Sequence, residues 1–212
     1  NIDSTFIRIN KKNKIKYLTK LLCINFVKSA VIFCNKKTDV HKVNKFLEKN
    51  NFKTVCLHGD MNQSLRINSL DKFKNKSVEI LIASDVAARG IDIENISHVF
   101  NYDVPNNPED YIHRIGRTGR AGKKGKAYTF FDKDDNKKIL SIEKLIKAKV
   151  NKIDIEKIVS SQNLSNQNSI WVKKNKSKEK HQNKSKTGFL PEEDFLNFKD
   201  SGKIPDFLNK NY

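Results

Sequence analysis

The stretch EILIASDVAARGIDI, residues 79–93, decides the fold. An unbroken apolar run reaches Ala83. Small residues, a hydroxyl, two acids and Gly90 follow it at once. That reads as a strand covered on both faces, ending where the chain turns toward a helix. The same grammar recurs on either side. AVIFC (30–34), KTVCL (53–57), ISHVFNY (96–102) and KAYTFF (126–131) read as further short strands. Helical spacing falls between them: Ile15, Leu18, Leu21 and Leu22 within 11–28; Val40, Val43, Phe46 and Leu47 after a capping Thr38; Gln63–Phe73; Pro108, as a first helical residue, to about Ile115; and Ile139, Ile142, Leu145 and Ile146 within 133–148. Short apolar strands alternating with helices predict an α/β domain whose parallel sheet is covered on both faces. Function in such sheets collects on loops beyond the strand C-termini. His58-Gly59-Asp60, Ser84-Asp85 and Tyr102-Asp103 fall there.

The 212 residues leave room for one domain of about 150 residues plus extra segments. The chain does not begin with Met, which predicts a fragment or an excised domain. It has no signal-peptide pattern and no 18-residue apolar run, so no membrane partner is expected. Cys23, Cys34 and Cys56 are widely spaced and form no CxxC pair. They read as small thiols in a reducing, cytoplasmic setting, and no metal ligands are expected. From about Ser160 the composition turns to Ser, Asn, Gln and Lys, and residues 172–186 hold seven Lys against one Glu. This predicts a disordered basic tail, and a boundary between a domain at 1–150 and an extension at 151–212. Phe and Leu return in 191–208, as a docking helix or as a tail with apolar residues.

The formal net charge of +18 points to a polyanionic partner, nucleic acid first, against a bare Lys/Asn-rich drift. Placement says more than the total. Only six of the 42 basic residues are Arg, and Arg66, Arg89, Arg114, Arg117 and Arg120 lie between 66 and 120. A chain that uses Lys almost everywhere uses Arg where a planar fork must grip phosphate.

YIHRIGRTGRAG (111–122) concentrates that signal. Read as a helix, it sets His113 and Arg117 one turn apart, with Arg120 just beyond among Gly116, Gly119 and Gly122. Arginines aimed at one place repel unless an anion sits between them, and the triphosphate of a nucleotide held by a partner domain would serve. An arginine offered from outside the phosphate cradle is worth about a thousand- to a hundred-thousand-fold in phosphoryl transfer. The competing reading is a solvated basic helix. Elsewhere, Ser84 offers a hydroxyl and an amide to phosphate, and Asp92 an acceptor for a ribose hydroxyl. The bland alternative is an ordinary turn capped by Asp85. HGDMNQSLR (58–66) puts a glycine before a helix N-terminus, with Gln63 and Arg66 one turn apart toward a phosphate.

Together these segments resemble the DEAD-box RNA helicases of superfamily two. VIFCNKK resembles their motif IV, HGDMNQSLR the following QxxR element, LIASDVAARGIDI motif V, VFNYDVP the short element after it, and HRIGRTGRAG motif VI. The likeness covers about residues 5–150, in order. Ser84 stands where the family usually has Thr. No GxxxxGK[ST] loop, Asp-Glu-Ala-Asp or Ser-Ala-Thr occurs in this sequence. In the family those belong to a first domain, which holds the nucleotide phosphates.

The resemblance implies a RecA-like (P-loop NTPase-type) three-layer domain with a mostly parallel sheet. It implies ATP-driven local separation of RNA duplexes and remodelling of RNA–protein complexes, with Mg2+ held by the N-terminal RecA-like domain of the same full-length protein. This chain alone would be inactive. Carried over by motif position, the arginine fingers fall on Arg117 and Arg120. The nucleotide side takes Asp92, Gly90, His113 and Arg114, the last two also linking to RNA and to the domain interface. Gly59, Gln63, Arg66, Ser84 and Gly90 would line the RNA backbone, Asn35 more weakly, and Arg89 would organise the interface. Contacts to backbone and sugar imply low sequence preference. A non-catalytic RNA clamp and a DNA helicase are the rival readings.

Overall fold

Val31, Ile32 and Phe33 carry no polar side-chain atom, and so short and β-branched an apolar run suits a strand buried on both faces. In the computed structural model they lie at 0–3% exposure, inside a seven-stranded sheet. The structure describes residues 2–25, 27–88, 93, 96–120 and 122–155. The strands are β1 (Ile2–Arg8), β2 (Ala30–Cys34), β3 (Thr54–Leu57), β4 (Ile80–Ser84), β5 (His98–Asn101), β6 (Gly125–Phe131) and β7 (Asn151–Asp154). The helices are α1 (Lys14–Ile24), α2 (Lys37–Lys49), α3 (Gln63–Lys74), α4 (Asp85–Ala88), α5 (Pro108–Ile115) and α6 (Asn136–Ile146). Strand order is β3-β4-β2-β5-β6-β1-β7, and every pairing is parallel.

Alternation along the strands feeds two faces. Ile7, Ile32, Ile82, Phe100 and Phe130 face one side, under Leu18, Leu21 and Leu22 of α1 and Val40, Val43 and Leu47 of α2. Val31, Phe33, Leu81, Ala83 and Val99 face the other, with Phe73 of α3 and Ala87 of α4. Phe6 and Phe131 continue that second side beneath Tyr111 of α5 and Ile139 and Ile142 of α6. Helix, sheet and helix make the three layers expected of a RecA-like α/β domain.

Several boundaries differ from the sequence reading. Thr38 does not cap α2: the helix begins at Lys37, and Lys36 stands at the cap position without a side-chain hydrogen bond. Asp39 in the first turn supplies the negative charge that suits a helix N-terminus. α1 stops at Ile24, where the Asn25 side-chain amide donates to the Leu21 carbonyl at 2.9 Å. The segment 133–148 opens as a short 3₁₀ turn at Lys133–Asp135, and Lys147 closes it in the left-handed region at φ 53°. Ser84 ends β4 instead of standing in the loop beyond it.

Two strands carry no legible sequence signal. β1 pairs with β6 along its full length, from Ile2 opposite Gly125 to Arg8 opposite Phe131. β7 lies beside β1, from Thr5 opposite Asn151 to Arg8 opposite Asp154. The sheet therefore runs past residue 150 into what the sequence assigns to the extension, and Ile155 packs into the core at 2% exposure. The basic tail and the 191–208 segment lie outside the described residues. No helix among the described residues is long and apolar enough to cross a membrane.

Candidate nucleotide and RNA interface

Parallel packing brings the C-terminal ends of β2, β4 and β5 to one edge, and α5 lies across that edge. Asn107 precedes α5 and Pro108 opens it, so the missing proline N–H falls where a helix has no partner to offer. Glu109 and Asp110 fill the first turn, His113 and Arg114 the last. Acids at the start and bases at the end both complement the helix dipole.

Arg114 points inward and is 2% exposed. Its guanidinium grips Asp85 with two parallel bonds, Nε to Oδ1 and Nη2 to Oδ2, each 2.6 Å. Nη2 also donates to Asn35 Oδ1 at 2.7 Å, and Nη1 to the Asp103 carbonyl at 2.9 Å. The guanidinium carbon stands 5.4 Å from the centre of the Phe33 ring. One side chain thus ties the loops after β2, β4 and β5. The network continues outward: Asp103 accepts from the Asn35 amide at 3.1 Å and from Lys14 Nζ at 2.8 Å. Burial, and then the nearby Asp103 carboxylate, push the Cys34 thiol well above its usual range.

Beyond α5 the chain turns sharply. Arg117 lies past the helix end, not on a further helical turn, because α5 stops at Ile115. Arg117 Nε donates to the His113 carbonyl at 3.3 Å, and Arg120 Nε to the Gly116 carbonyl at 2.6 Å. Both guanidinium groups thereby meet carbonyls that a helix C-terminus leaves unpaired. Thr118, 1% exposed, anchors the turn: its hydroxyl donates to the Ile96 carbonyl, and its backbone bridges Ile96. Gly119 and Gly122 adopt φ of 70° and 77°, which a side chain would resist. A Cβ at Gly125 would fall on the Thr118 hydroxyl and the Gly119 amide, so β6 and this loop can meet only through glycine.

A cleft of about 520 Å³ opens beside this loop, lined by Phe33, Asp85, Ala88, Asn107, Glu109, Asp110, His113, Arg114 and Arg117. That volume suits a small molecule. The three clustered arginines do not share one role in its wall. Arg114 is committed to Asp85, Arg117 stands half-buried on the rim, and Arg120 is exposed farther along the loop.

The expected RNA-side residues lie along the same end of the sheet. Gly59 is exposed, and a Cβ there would meet nothing within 4 Å. Gln63 and Arg66 share the first turns of α3, which Asn62 caps by accepting from the Leu65 amide at 2.9 Å. Arg66 Nη2 donates to the Ala87 carbonyl at 3.2 Å, fastening α3 to α4. Ser84 is buried. Asn35 spends its side chain on Arg114 and on the Val104 carbonyl, 2.9 Å away. Arg89, Gly90 and Asp92 lie outside the described residues.

Sequence reasoning missed two sets of residues here. Asp85 and Asp103, read as loop acids, are the anchors of the arginine network. His41, Cys56 and His58 come together, each offering a donor atom within 4.8 Å of the others. The alternating Cys56 and His58 were the visible half of that pattern.

A parallel three-layer sheet with an arginine-bearing turn beyond its strand ends defines a RecA-like domain of the helicase kind. The chain belongs to the helicase conserved C-terminal domain family, whose model matches residues 13–122. Its relatives place it among DEAD-box proteins. It is 43% identical over 155 residues to the ATP-dependent RNA helicase DeaD of Haemophilus influenzae, covering 73% of this chain and 25% of that protein. It is 36% identical over 154 residues to the DEAD-box ATP-dependent RNA helicase CshA of Bacillus cereus, covering 73% of this chain and 29% of that one. The chain thus spans between a quarter and a third of these relatives. Among solved structures, Saccharomyces cerevisiae Dbp5 bound to RNA and ADP BeF3 superposes with a TM-score of 0.68 at 30% identity, over 78% of this chain and 44% of that one.

Proposed function

We propose that this chain acts as the second RecA-like half of an ATP-dependent DEAD-box RNA helicase, reaching from β1 through at least Ile155, with a basic extension beyond. It binds the RNA backbone and offers Arg117 and Arg120 to the γ-phosphate of ATP held by a first RecA-like domain. RNA and ATP draw the two halves together, and hydrolysis releases them. The observation that carries this reading is the division of labour in 111–122. Arg114, locked on Asp85, fixes the end of α5, and the pinned turn beyond it holds Arg117 at the cleft and Arg120 outside. His113, on the cleft wall, joins the nucleotide to the interface, while Arg114 acts through position. Asp92 and Gly90 complete the nucleotide side. Gly59, Gln63, Arg66, Ser84 and Gly90 form the RNA side, with Asn35 as a support and Arg89 at the interface. The open space over Gly59 leaves room for close approach of a phosphate. Low sequence preference follows from backbone contact.

The cleft fits ATP in volume; its wall sets Arg117, His113 and the Asp85-bound Arg114 beside Asp85, Glu109 and Asp110, and this sequence holds no phosphate cradle. Mg2+ prefers oxygen ligands at octahedral geometry. The convergent His41, Cys56 and His58 donors do not suit it and do not line the cleft; in this reading the first domain holds the metal. The chain alone should not hydrolyse ATP.

The test uses a protein containing both halves. Arg117→Lys and Arg120→Lys should each lower RNA-stimulated ATP turnover by about tenfold to a thousandfold, since Lys keeps a charge but loses the fork. RNA affinity should change far less. Unaltered turnover in both variants would remove these residues from the finger role. Stimulation by DNA as strong as by RNA would shift the substrate.

A further inference from the structure

Away from the cleft, at the edge strand β3, a seam joins α2 to the chain running from β3 into the next loop. Lys37, His41 and Asn44 are spaced four and three apart on α2, so they share one face. Thr54 and Cys56 share one side of β3, and His58 and Asp60 follow in the segment just beyond it. The two rows meet rung by rung. Thr54 Oγ1 donates to Asn44 Oδ1 at 2.8 Å. Lys37 Nζ pairs with Asp60 Oδ2 at 2.6 Å. Between those closed rungs lie His41, Cys56 and His58, with a donor atom from each within 4.8 Å of the others. The two imidazole rings stand 4.2 Å apart, tilted by 59°.

We propose that His41, Cys56 and His58 form a binding site for a zinc-class divalent ion, with two imidazole nitrogens and one thiolate as ligands. Three observations converge on this. The donor set is nitrogen and sulfur, which suits Zn(II) and disfavours Mg2+ and Ca2+. His58 Nδ1 is buried with no hydrogen-bond partner among the described residues, an orphan that a metal bond or an ordered water would satisfy. The rungs on either side fix the separation of the two rows. Zn–N and Zn–S bonds of about 2.1 and 2.3 Å put tetrahedral ligands about 3.6 Å apart, so closure asks for about 1 Å of movement. The exposed His41 ring can supply it by rotating. Lys37 adds an opposing charge nearby, and its pairing with Asp60 offsets it.

Binding replaces the Cys56 S–H bond with an S–metal bond and releases one proton to solvent. No electron moves. Three protein ligands leave a fourth position for water, and the ion cross-links α2, through His41, to Cys56 of β3 and His58 just beyond it. The seam sits one residue from Gly59 and does not depend on any role in RNA binding.

The experiment uses the full chain without a polyhistidine tag. Zn(II) alone is titrated in competition with a chromophoric chelator, and Co(II) serves as the optical reporter. One equivalent should bind, Co(II) should show thiolate-to-metal charge transfer, and melting temperature should rise with Zn(II). His41→Ala removes an exposed ligand with little risk to folding. It should weaken binding by at least about tenfold, and so should Cys56→Ser, which should also abolish the charge-transfer band. Unchanged Zn(II) affinity in both variants, or a Co(II) complex without thiolate character, would leave only a packed histidine pair and overturn the site.

Discussion

Arg114 and Asp85 meet through two parallel hydrogen bonds of 2.6 Å, one from Nε and one from Nη2. The arginine side chain is 2% exposed and the aspartate 19%. A pair held so far from water is a poor source of net stability, but breaking one side of it strands the other. Here it also joins α5 to the loop after β4, and through Asn35 and Asp103 to the loops after β2 and β5. Its main consequence is positional: the turn carrying Arg117 and Arg120 starts two residues later.

Arg114→Ala should therefore destabilise the chain by about 3–5 kcal/mol, read as a lowered urea midpoint. Arg114→Lys should recover only part of this, because an ammonium cannot bond both Asp85 oxygens while reaching Asn35 and the Asp103 carbonyl. A midpoint for the Ala variant within error of the parent would show that the network is not structural.

Gly125→Ala places a methyl group where the Thr118 hydroxyl and the Gly119 amide now sit. The arginine turn must move or the strand must shift. The expected cost is about 1–3 kcal/mol, as for other overpacked sites. In the two-domain protein, ATP turnover should fall although no arginine has changed. Full stability together with full turnover would contradict the close approach.

His98 gives a pH dependence. It stacks near Phe100 and Tyr128, its Nδ1 lies 2.9 Å from the Ser97 hydroxyl, and its Nε2 is buried without a partner among the described residues. Burial first, and the charge of Lys126 second, lower its pKa to about 4. The unfolded chain binds the proton near pH 6.5, so acid favours unfolding. Stability from this residue is complete above about pH 6.5 and falls as pH drops toward about 4, by about 2 kcal/mol after allowing for partial contact with water. His98→Phe should flatten the stability curve in that window, measured by denaturation at several pH values. A curve parallel to that of the parent would rule out His98 as its source.

RNA binding by this chain should be weak and steep in salt, with much of it due to the seven Lys of 172–186. Truncation near Ser160 should weaken binding to single-stranded RNA. It should also flatten the log–log salt slope by up to about 0.7 for each phosphate that the shortened chain no longer neutralises. Fluorescence anisotropy across a salt series compares the two chains. Equal affinity and equal slope would reduce those lysines to a solvated run.

Features under short-range control were legible along the chain. Apolar runs such as AVIFC and ILIA demand burial, and their shortness and β-branched content favour a strand over a helix, so β2 and β4 could be read directly. Pro108 marked the start of α5 because, within a helix, its fixed φ and missing N–H suit the first turn. The scarcity of Arg against Lys marked 111–122 before any fold was known. The order of the motifs carried the family.

The remaining features depend on partners distant in the chain. IDSTFIR and NKID become strands because β6 and β1 offer unpaired edges more than a hundred residues away in one direction or the other. Thr38 had the chemistry of a cap, but α2 begins at Lys37, which puts Thr38 inside the first turn. Residue type gave Arg114, Arg117 and Arg120 the same chemistry, and only motif position set Arg114 at the nucleotide and domain interface, apart from the two fingers. Burial separated them, because the Arg114 guanidinium found Asp85, 29 positions earlier, while the turn pinned by Thr118 carried the other two outward. Cys56 and His58 read as one thiol and one loop histidine until α2 packed on β3 and set His41 beside them. Spacing along the chain fixes which face a side chain takes, but only packing fixes what that face meets.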